Sequence, residues 1–182
     1  LASIIYYGVY QTGGLALTAF VCGLCIALFY FFVWLCLREL KIGPVASGLI
    51  LLITALMGSN NWSTRPQLFV YPFFAMCLWV LLKWQVKNDR WLWILPILSV
   101  MWANLHGSYI LLFVLIGSAL IFGQGSRRKL AIVLGLCLAA TLLNPYGFHL
   151  WSNTASMMGK RVGLTDAQGG MAQDAKQGQC SK

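Results

Sequence analysis

The chain has 182 residues, of which 59% are hydrophobic and 9% charged, and its mean hydropathy is +0.75. A soluble domain carries about 25% charged residues, so this composition excludes an ordinary soluble domain and indicates a polytopic membrane protein. The net charge is +9, but the Lys and Arg residues stand in short clusters between apolar segments. Such clusters are a topology signal, and they do not form the continuous basic face that binds nucleic acid.

Six apolar segments predict an all-α fold, a polytopic helical membrane protein with about six transmembrane helices. Residues 1–12 are expected to be the end of a preceding span or an interfacial segment, because their tyrosines suit a lipid-headgroup belt. A transmembrane bundle is predicted over 13–151, with spans at 13–37, 42–58, 68–82, 91–103, 108–122 and 130–143. Residues 152–182 lack apolar periodicity and predict a disordered tail that is not native to the protein.

The distribution of Lys and Arg orients these spans. The first, third and fifth connections are basic, whereas the second holds Arg65 alone and the fourth holds no basic residue. The basic connections are therefore predicted to be cytoplasmic. The three polar, aromatic-rich loops at 59–67, 102–108 and 144–151 then share the non-cytoplasmic side, as a common site would require.

The stretch 102–107 interrupts an apolar run over 91–122 with an amide, an imidazole and a glycine. Each half of the run has about 16 residues and reaches about 24 Å, which is less than a hydrocarbon core of about 30 Å. At that depth, polar non-helical backbone is tolerated only where protein or a water-filled cavity surrounds it. The stretch therefore predicts a cavity that opens on one side of a membrane, and Gly107 is expected to permit the turn.

Arg65 is a candidate for phosphate binding. Its guanidinium offers five donors in a fixed fork, which suits a phosphate or pyrophosphate at a membrane surface, and Pro66 would fix its direction by starting the next helix. The alternative is an interfacial arginine that snorkels to lipid headgroups. Gln67 in the same loop and Tyr146 in the last polar loop are further candidates for substrate binding.

Asn104 and His106 can bind a sugar hydroxyl or a phosphate oxygen, and an imidazole can shuttle a proton. The alternative is structural, with Asn104 capping a helix and His106 bonded to a neighbouring carbonyl. His106 and His149 do not make a metal site without a carboxylate. The spacing of Cys22 and Cys25 within an apolar segment predicts packing and no redox chemistry.

The four acidic residues are Glu39, Asp89, Asp166 and Asp174. The first two lie in predicted cytoplasmic connections and the last two in the tail. The predicted outer loops hold no carboxylate, so a carboxylate that could act as a general base or as a divalent-metal ligand is missing from them. The cofactor is undetermined, and a divalent metal in the full-length protein is compatible with the sequence.

Three short motifs, in this order, resemble signatures of bacterial polytopic membrane proteins related to GT-C glycosyltransferases. They are Trp62-Ser63-Thr64-Arg65-Pro66-Gln67-Leu68-Phe69, Trp102-Ala103-Asn104-Leu105-His106-Gly107-Ser108 and Asn144-Pro145-Tyr146-Gly147. The resemblance covers about residues 13–151. It implies a multi-pass protein of the bacterial inner membrane that uses a polyprenyl-phosphate-linked sugar donor at the outer face, in contact with membrane lipids.

The resemblance also implies a catalytic acid in a first outer loop, and such a loop would precede Leu1. The chain is therefore expected to be a fragment that is inactive alone. The rival hypothesis is a transporter or flippase-like protein whose outer loops form an entry vestibule. Transporters often show internal repeats and charged residues within spans, and the sequence over 13–143 shows neither, which favours the enzyme. A structural membrane subunit without a site is the third hypothesis.

Overall fold

The computed structural model describes residues 2–58, 66–86 and 89–143, and every regular element in these ranges is helical, as predicted. The six α-helices are α1 (Ala2–Glu39), α2 (Pro44–Gly58), α3 (Val70–Gln85), α4 (Ile94–Leu105), α5 (Ile110–Phe122) and α6 (Arg127–Thr141). Short 3₁₀ turns precede α3, α4 and α5 at Pro66–Phe69, Asp89–Trp93 and Gly107–Tyr109. The last five predicted spans coincide with α2 to α6 to within about three residues at each end.

The helices differ in whether they are long enough to cross a membrane. Among the described residues, only α1 has the length and apolar composition of a spanning helix, and α2, α3 and Gly107–Phe122 are shorter apolar helices. Large apolar side chains cover the outside of the bundle, with Leu15, Val45 and Phe122 exposed by 78%, 77% and 81%. These faces would be polar in a soluble helical protein.

α1 reverses its direction at Gly14. The backbone of Gly14 has φ 61° and ψ −152°, a combination that is essentially restricted to glycine. The hydroxyl of Tyr6 lies 3.0 Å from the sulfur of Cys22, 16 residues further along the chain. In a straight helix this separation would be about 24 Å. Residues 2–13 therefore fold back along residues 15–26, and the two segments form what we call the N-terminal hairpin.

Gly13 is as necessary to the N-terminal hairpin as Gly14. A Cβ on Gly13 would lie 2.5 Å from the Cβ of Leu17, a distance that side chains essentially never reach. The predicted span over 13–37 thus starts at the reversal. The short segment expected before it is a helix that packs on that span.

α1 and α3 run parallel and make the most extensive helix–helix contact in the described bundle. At the end where α3 begins, Cys22 and Cys25 of α1 pack against Leu68. Both cysteines are free and buried, in line with a packing role. Near their ends, the ammonium of Lys83 lies 2.6 Å from a carboxylate oxygen of Glu39. The first and third connections therefore leave the bundle at the same end.

The connection between α5 and α6 lies at that end too. Trp84, near the end of α3, is fully buried beneath this connection. A Cβ on Gly123 or Gly125 would come within 2.5 Å or 2.4 Å of the Trp84 indole. The first turn of α6 follows directly, with Arg127, Arg128 and Lys129. One basic end is thus formed by residues 38–41, 83 and 127–129. This agrees with the prediction that the first, third and fifth connections lie on one side.

The opposite end of the bundle, the turn end, holds Pro66–Phe69, where α3 begins, and His106–Tyr109, where α4 ends. The two are linked because the rings of Phe73 and Trp102 stack with centroids 6.4 Å apart. Further inside, the hydroxyl of Ser99 on α4 donates a 3.0 Å hydrogen bond to the carbonyl of Cys137 on α6. Pro66–Phe69, which includes the last two residues of the polar loop predicted over 59–67, thus lies at the same end as the loop over 102–108.

Candidate functional site

The turn after α4 is made by an extended residue and not by a glycine. His106 has φ −156° and ψ 144°, and its N–H still donates to the carbonyl of Trp102 at 3.0 Å. Gly107 begins the next 3₁₀ turn without a positive φ, and a Cβ placed on it would meet nothing within 4 Å. The expectation that Gly107 permits the turn is wrong, because any residue can adopt the extended backbone that His106 supplies.

Three side chains of this turn form a hydrogen-bonded network. The backbone N–H of Ser108 donates to Nδ1 of His106 at 3.1 Å, so His106 caps the start of the helix that leads into α5. The Ser108 hydroxyl lies 2.9 Å from the same Nδ1. The indole N–H of Trp102 donates to this hydroxyl at 3.2 Å. We call Trp102, His106 and Ser108 the turn network.

The turn network is partly buried. Its Trp102 is fully buried, as is the neighbouring Tyr109, whereas His106 and Ser108 are half-buried. A buried indole N–H without a partner costs about 1–3 kcal/mol, so the Ser108 hydroxyl stabilises Trp102 in this core. The imidazole is held on its Nδ1 side, and its Nε2 makes no hydrogen bond within the described residues.

Asn104 does not cap a helix, which was the structural role considered for it in the sequence analysis. Its Nδ2 donates a 2.8 Å hydrogen bond to the carbonyl of Val100, four residues earlier in α4. The structural alternative had Asn104 as the cap and His106 bonded to a carbonyl. In the structure the roles are exchanged, with His106 as the cap and Asn104 bonded to a carbonyl. Both side chains are half-buried at the turn end.

The other predicted site residues are described less fully. Gln67 belongs to the 3₁₀ turn Pro66–Phe69 at the turn end, and its side chain is outside what the structure describes. Arg65 and Tyr146 lie outside the described residues. A common site of Arg65 and Tyr146 with His106 therefore stays a prediction.

The sequence analysis missed an apolar groove between α1 and α3. The groove has a volume of about 240 Å³ and is lined by Cys25, Leu28, Phe32, Phe69, Pro72, Phe73 and Met76. The signal in the sequence was the spacing of Phe69, Phe73 and Met76, which places them on one helix face. Asn104 and His106 do not line the groove. Phe73 connects it to the turn network, because its ring stacks on Trp102.

The chemistry that the turn end offers is the binding of oxygen atoms. Among the described residues, no group of three or more His, Cys, Asp or Glu side chains could hold a metal ion. The carboxylate of Glu39 lies at the basic end, where it pairs with Lys83. His106 and Asn104 can hold a ligand oxygen in place.

Comparison of the chain with protein-family models, curated proteins and solved structures finds no match. The resemblance to GT-C proteins is therefore carried by the three motifs alone. The function has to be argued from the bundle, its two unlike ends and the turn network.

Proposed function

We propose that the chain is part of the membrane bundle of a bacterial inner-membrane glycosyltransferase, and that it binds a polyprenyl-phosphate-linked sugar at the non-cytoplasmic face. The observation that carries the proposal is the turn network, because it places a half-buried imidazole in an apolar bundle, at the end opposite to the basic residues. Polar groups in such surroundings are costly and are typical of functional sites in membrane proteins.

Helix lengths support six membrane spans. From Leu15 onwards, α1 is about 37 Å long, and α3 and α4 with their 3₁₀ turns are about 32 Å and 28 Å. These lengths match a hydrocarbon core of about 30 Å. α5 with its 3₁₀ turn is about 26 Å long, and α2 and α6 are about 22 Å each. These three require local thinning of the bilayer, at a modest cost for each ångström of mismatch. The exposed apolar faces of the bundle support the same environment.

The basic end supports an orientation. Arg38, Lys41 and Lys83 lie there together with the first turn of α6. Cytoplasmic loops carry the excess of Lys and Arg in membrane proteins, so the basic end is proposed to be cytoplasmic. The turn end then faces the other side of the membrane, where polyprenyl-linked sugars would be used.

The binding roles follow from the chemistry of the side chains. His106 and Asn104 hold oxygen atoms of the donor, and Arg65, which directly precedes Pro66, clamps the lipid phosphate with its guanidinium fork. Gln67 and Tyr146 are proposed as further contacts. The apolar groove begins at Phe69 at the turn end, which suits the isoprenoid chain of such a lipid. The catalytic carboxylate is proposed to lie outside the described residues.

The proposal is tested by binding of undecaprenyl phosphate to the chain in nanodiscs, comparing wild type, Arg65→Lys and Arg65→Ala at equal protein. Lysine keeps the charge but loses the two-pronged geometry, and a charge-assisted hydrogen bond to phosphate is worth about 1.5–3 kcal/mol. We therefore expect Arg65→Lys to bind roughly ten- to a hundredfold more weakly.

Two outcomes contradict parts of the proposal. Equal binding by wild type and Arg65→Lys makes Arg65 a headgroup anchor, because either side chain can snorkel. Absence of wild-type binding removes the lipid-phosphate site. Movement of the lipid across liposomes that contain the chain, at a rate above that of empty liposomes, favours the flippase-like alternative.

A further inference from the structure

The turn network fixes the position of a proton. A backbone N–H always carries its hydrogen, so the 3.1 Å bond from the Ser108 amide requires a lone pair on Nδ1 of His106. In a neutral imidazole, one ring nitrogen is a donor and the other an acceptor. With Nδ1 as the acceptor, the proton of the neutral ring is on Nε2.

The second connection in the network is compatible with this tautomer. The indole N–H of Trp102 donates to the Ser108 hydroxyl oxygen at 3.2 Å. The hydrogen of that hydroxyl can then point at Nδ1 of His106, 2.9 Å away. The direction at the imidazole itself is set by the Ser108 amide.

Nε2 lies on the opposite side of the ring. Within the part of the chain that the structure describes, it makes no hydrogen bond, and the ring is half-buried at the turn end. A protonated Nε2 has no lone pair to accept a proton. In this tautomer Nε2 is a donor and cannot act as a general base, which distinguishes between two roles that the sequence alone left open.

We propose that His106 is held as the Nε2–H tautomer and donates a hydrogen bond from Nε2 to a phosphate oxygen of the lipid carrier. This role rests on the proposed function, since it deepens the donor site at the turn end. A hydrogen bond to a charged oxygen is about twice as strong as one between neutral groups. His106 thus contributes to holding the phosphate and does not accept a proton at Nε2.

The tautomer can be observed directly. The chain has two histidines, so replacing His149 by Gln leaves a single imidazole. The protein is labelled with ¹⁵N in the histidine ring, placed in nanodiscs without lipid phosphate and studied by NMR about two pH units above the ordinary imidazole pKa of about 6.5. We expect a proton on Nε2 and none on Nδ1. A proton on Nδ1, or an even mixture of tautomers, overturns the proposal.

A matched pair of variants tests the donor role. In His106→Asn, the side-chain oxygen can still accept from the Ser108 amide, because Asn is among the best capping residues, but the outward donor is lost. In His106→Gln, the amide nitrogen reaches the place of Nε2 and keeps the donor, while the cap is lost. We expect His106→Asn to unfold at nearly the wild-type temperature and to bind undecaprenyl phosphate roughly tenfold or more weakly. We expect His106→Gln to be the less stable variant and, at equal folded protein, the tighter binder.

The outcomes separate this proposal from the proposed function. Wild-type binding by His106→Asn, or binding by His106→Gln that is no tighter than that of His106→Asn, shows that the imidazole is only a cap and overturns the donor role. If the wild type does not bind undecaprenyl phosphate, the donor role fails together with the lipid-phosphate site. The NMR experiment still shows whether the turn network fixes the tautomer of His106.

Discussion

Two glycine-containing turns of the chain, at Gly13–Gly14 and at His106–Gly107, are built by opposite means. The N-terminal hairpin depends on missing side chains, because Gly14 adopts φ 61° and Gly13 has no room for a Cβ. The turn at His106 depends on side chains that are present. Its backbone is ordinary, Gly107 has open space around it, and three polar groups hold it together.

This difference between the two turns distinguishes a turn that serves only the fold from a turn that is a candidate binding site. A glycine turn solves a geometric problem through its backbone, and the N-terminal hairpin is packed by apolar contacts, by the bond between Tyr6 and Cys22 and by the bond from the Thr18 hydroxyl to the Gly14 carbonyl. The turn network places an indole, a hydroxyl and an imidazole among apolar helices. Such groups are costly to bury, and Nε2 of the imidazole makes no hydrogen bond within the described residues. A cluster of polar side chains in an apolar bundle is the better sign of function.

The largest effect that we expect is at the N-terminal hairpin. Gly14→Ala places a Cβ on a backbone conformation that is essentially restricted to glycine, at a cost of about 3 kcal/mol. The free energy of unfolding can be measured by SDS titration in mixed micelles. Gly23→Ala is the matched control, because Gly23 lies in the same helix with nothing within 4 Å of its Cβ position. Alanine there should be neutral or stabilising by up to about 1 kcal/mol.

An equal response of the two alanine variants would contradict the hairpin. It would mean that Gly14 is as helical as Gly23 and that α1 continues straight. The bond between Tyr6 and Cys22 could then not form, and Tyr6→Phe would leave the stability unchanged.

A smaller loss is expected in the turn network. Ser108→Ala removes the acceptor of the fully buried Trp102 indole N–H, which should cost about 1–2 kcal/mol in the same titration. Trp102→Phe removes that donor together with part of the ring, so it also leaves a cavity. The two changes act on one hydrogen bond, and in the double variant the loss should be smaller than the sum of the single losses, by about 0.5 kcal/mol or more. Strict additivity would show that the indole and the hydroxyl do not interact.

The sequence predicted the helices well because their signal is local. Apolar runs separated by charged or polar connections placed α2 to α6 to within about three residues. It also placed a boundary between residues 12 and 13, next to the reversal at Gly14, but it assigned residues 1–12 to the end of a preceding span or an interfacial segment. It did not predict that this segment folds back onto the span that follows, because hydropathy does not register packing between two apolar segments. Gly13 and Gly14 are the sign in the sequence, since adjacent glycines mark turns.

The site was only partly predictable from the sequence. The polar interruption at 102–107 located the turn, but which residue caps and which bonds to a carbonyl depends on backbone angles that composition does not contain. His106 is extended and Asn104 is still helical, and this exchanges the roles that the structural alternative assigned to them. The groove between α1 and α3 was missed because its walls come from segments that are far apart in the sequence.

The smallest effect is expected at Gly107, which completes the comparison with Gly14. A Cβ at Gly107 would meet nothing within 4 Å, and its φ is not positive, so alanine fits the folded backbone without strain. Alanine also reduces the freedom of the unfolded chain, so Gly107→Ala should change the stability by about 0.5 kcal/mol or less, on the stabilising side. A large destabilisation would show that this turn needs a glycine after all and would remove the contrast between the two turns. A variant of wild-type stability that binds undecaprenyl phosphate more weakly would instead place the ligand against the backbone of Gly107, because glycine also permits the close approach of a ligand.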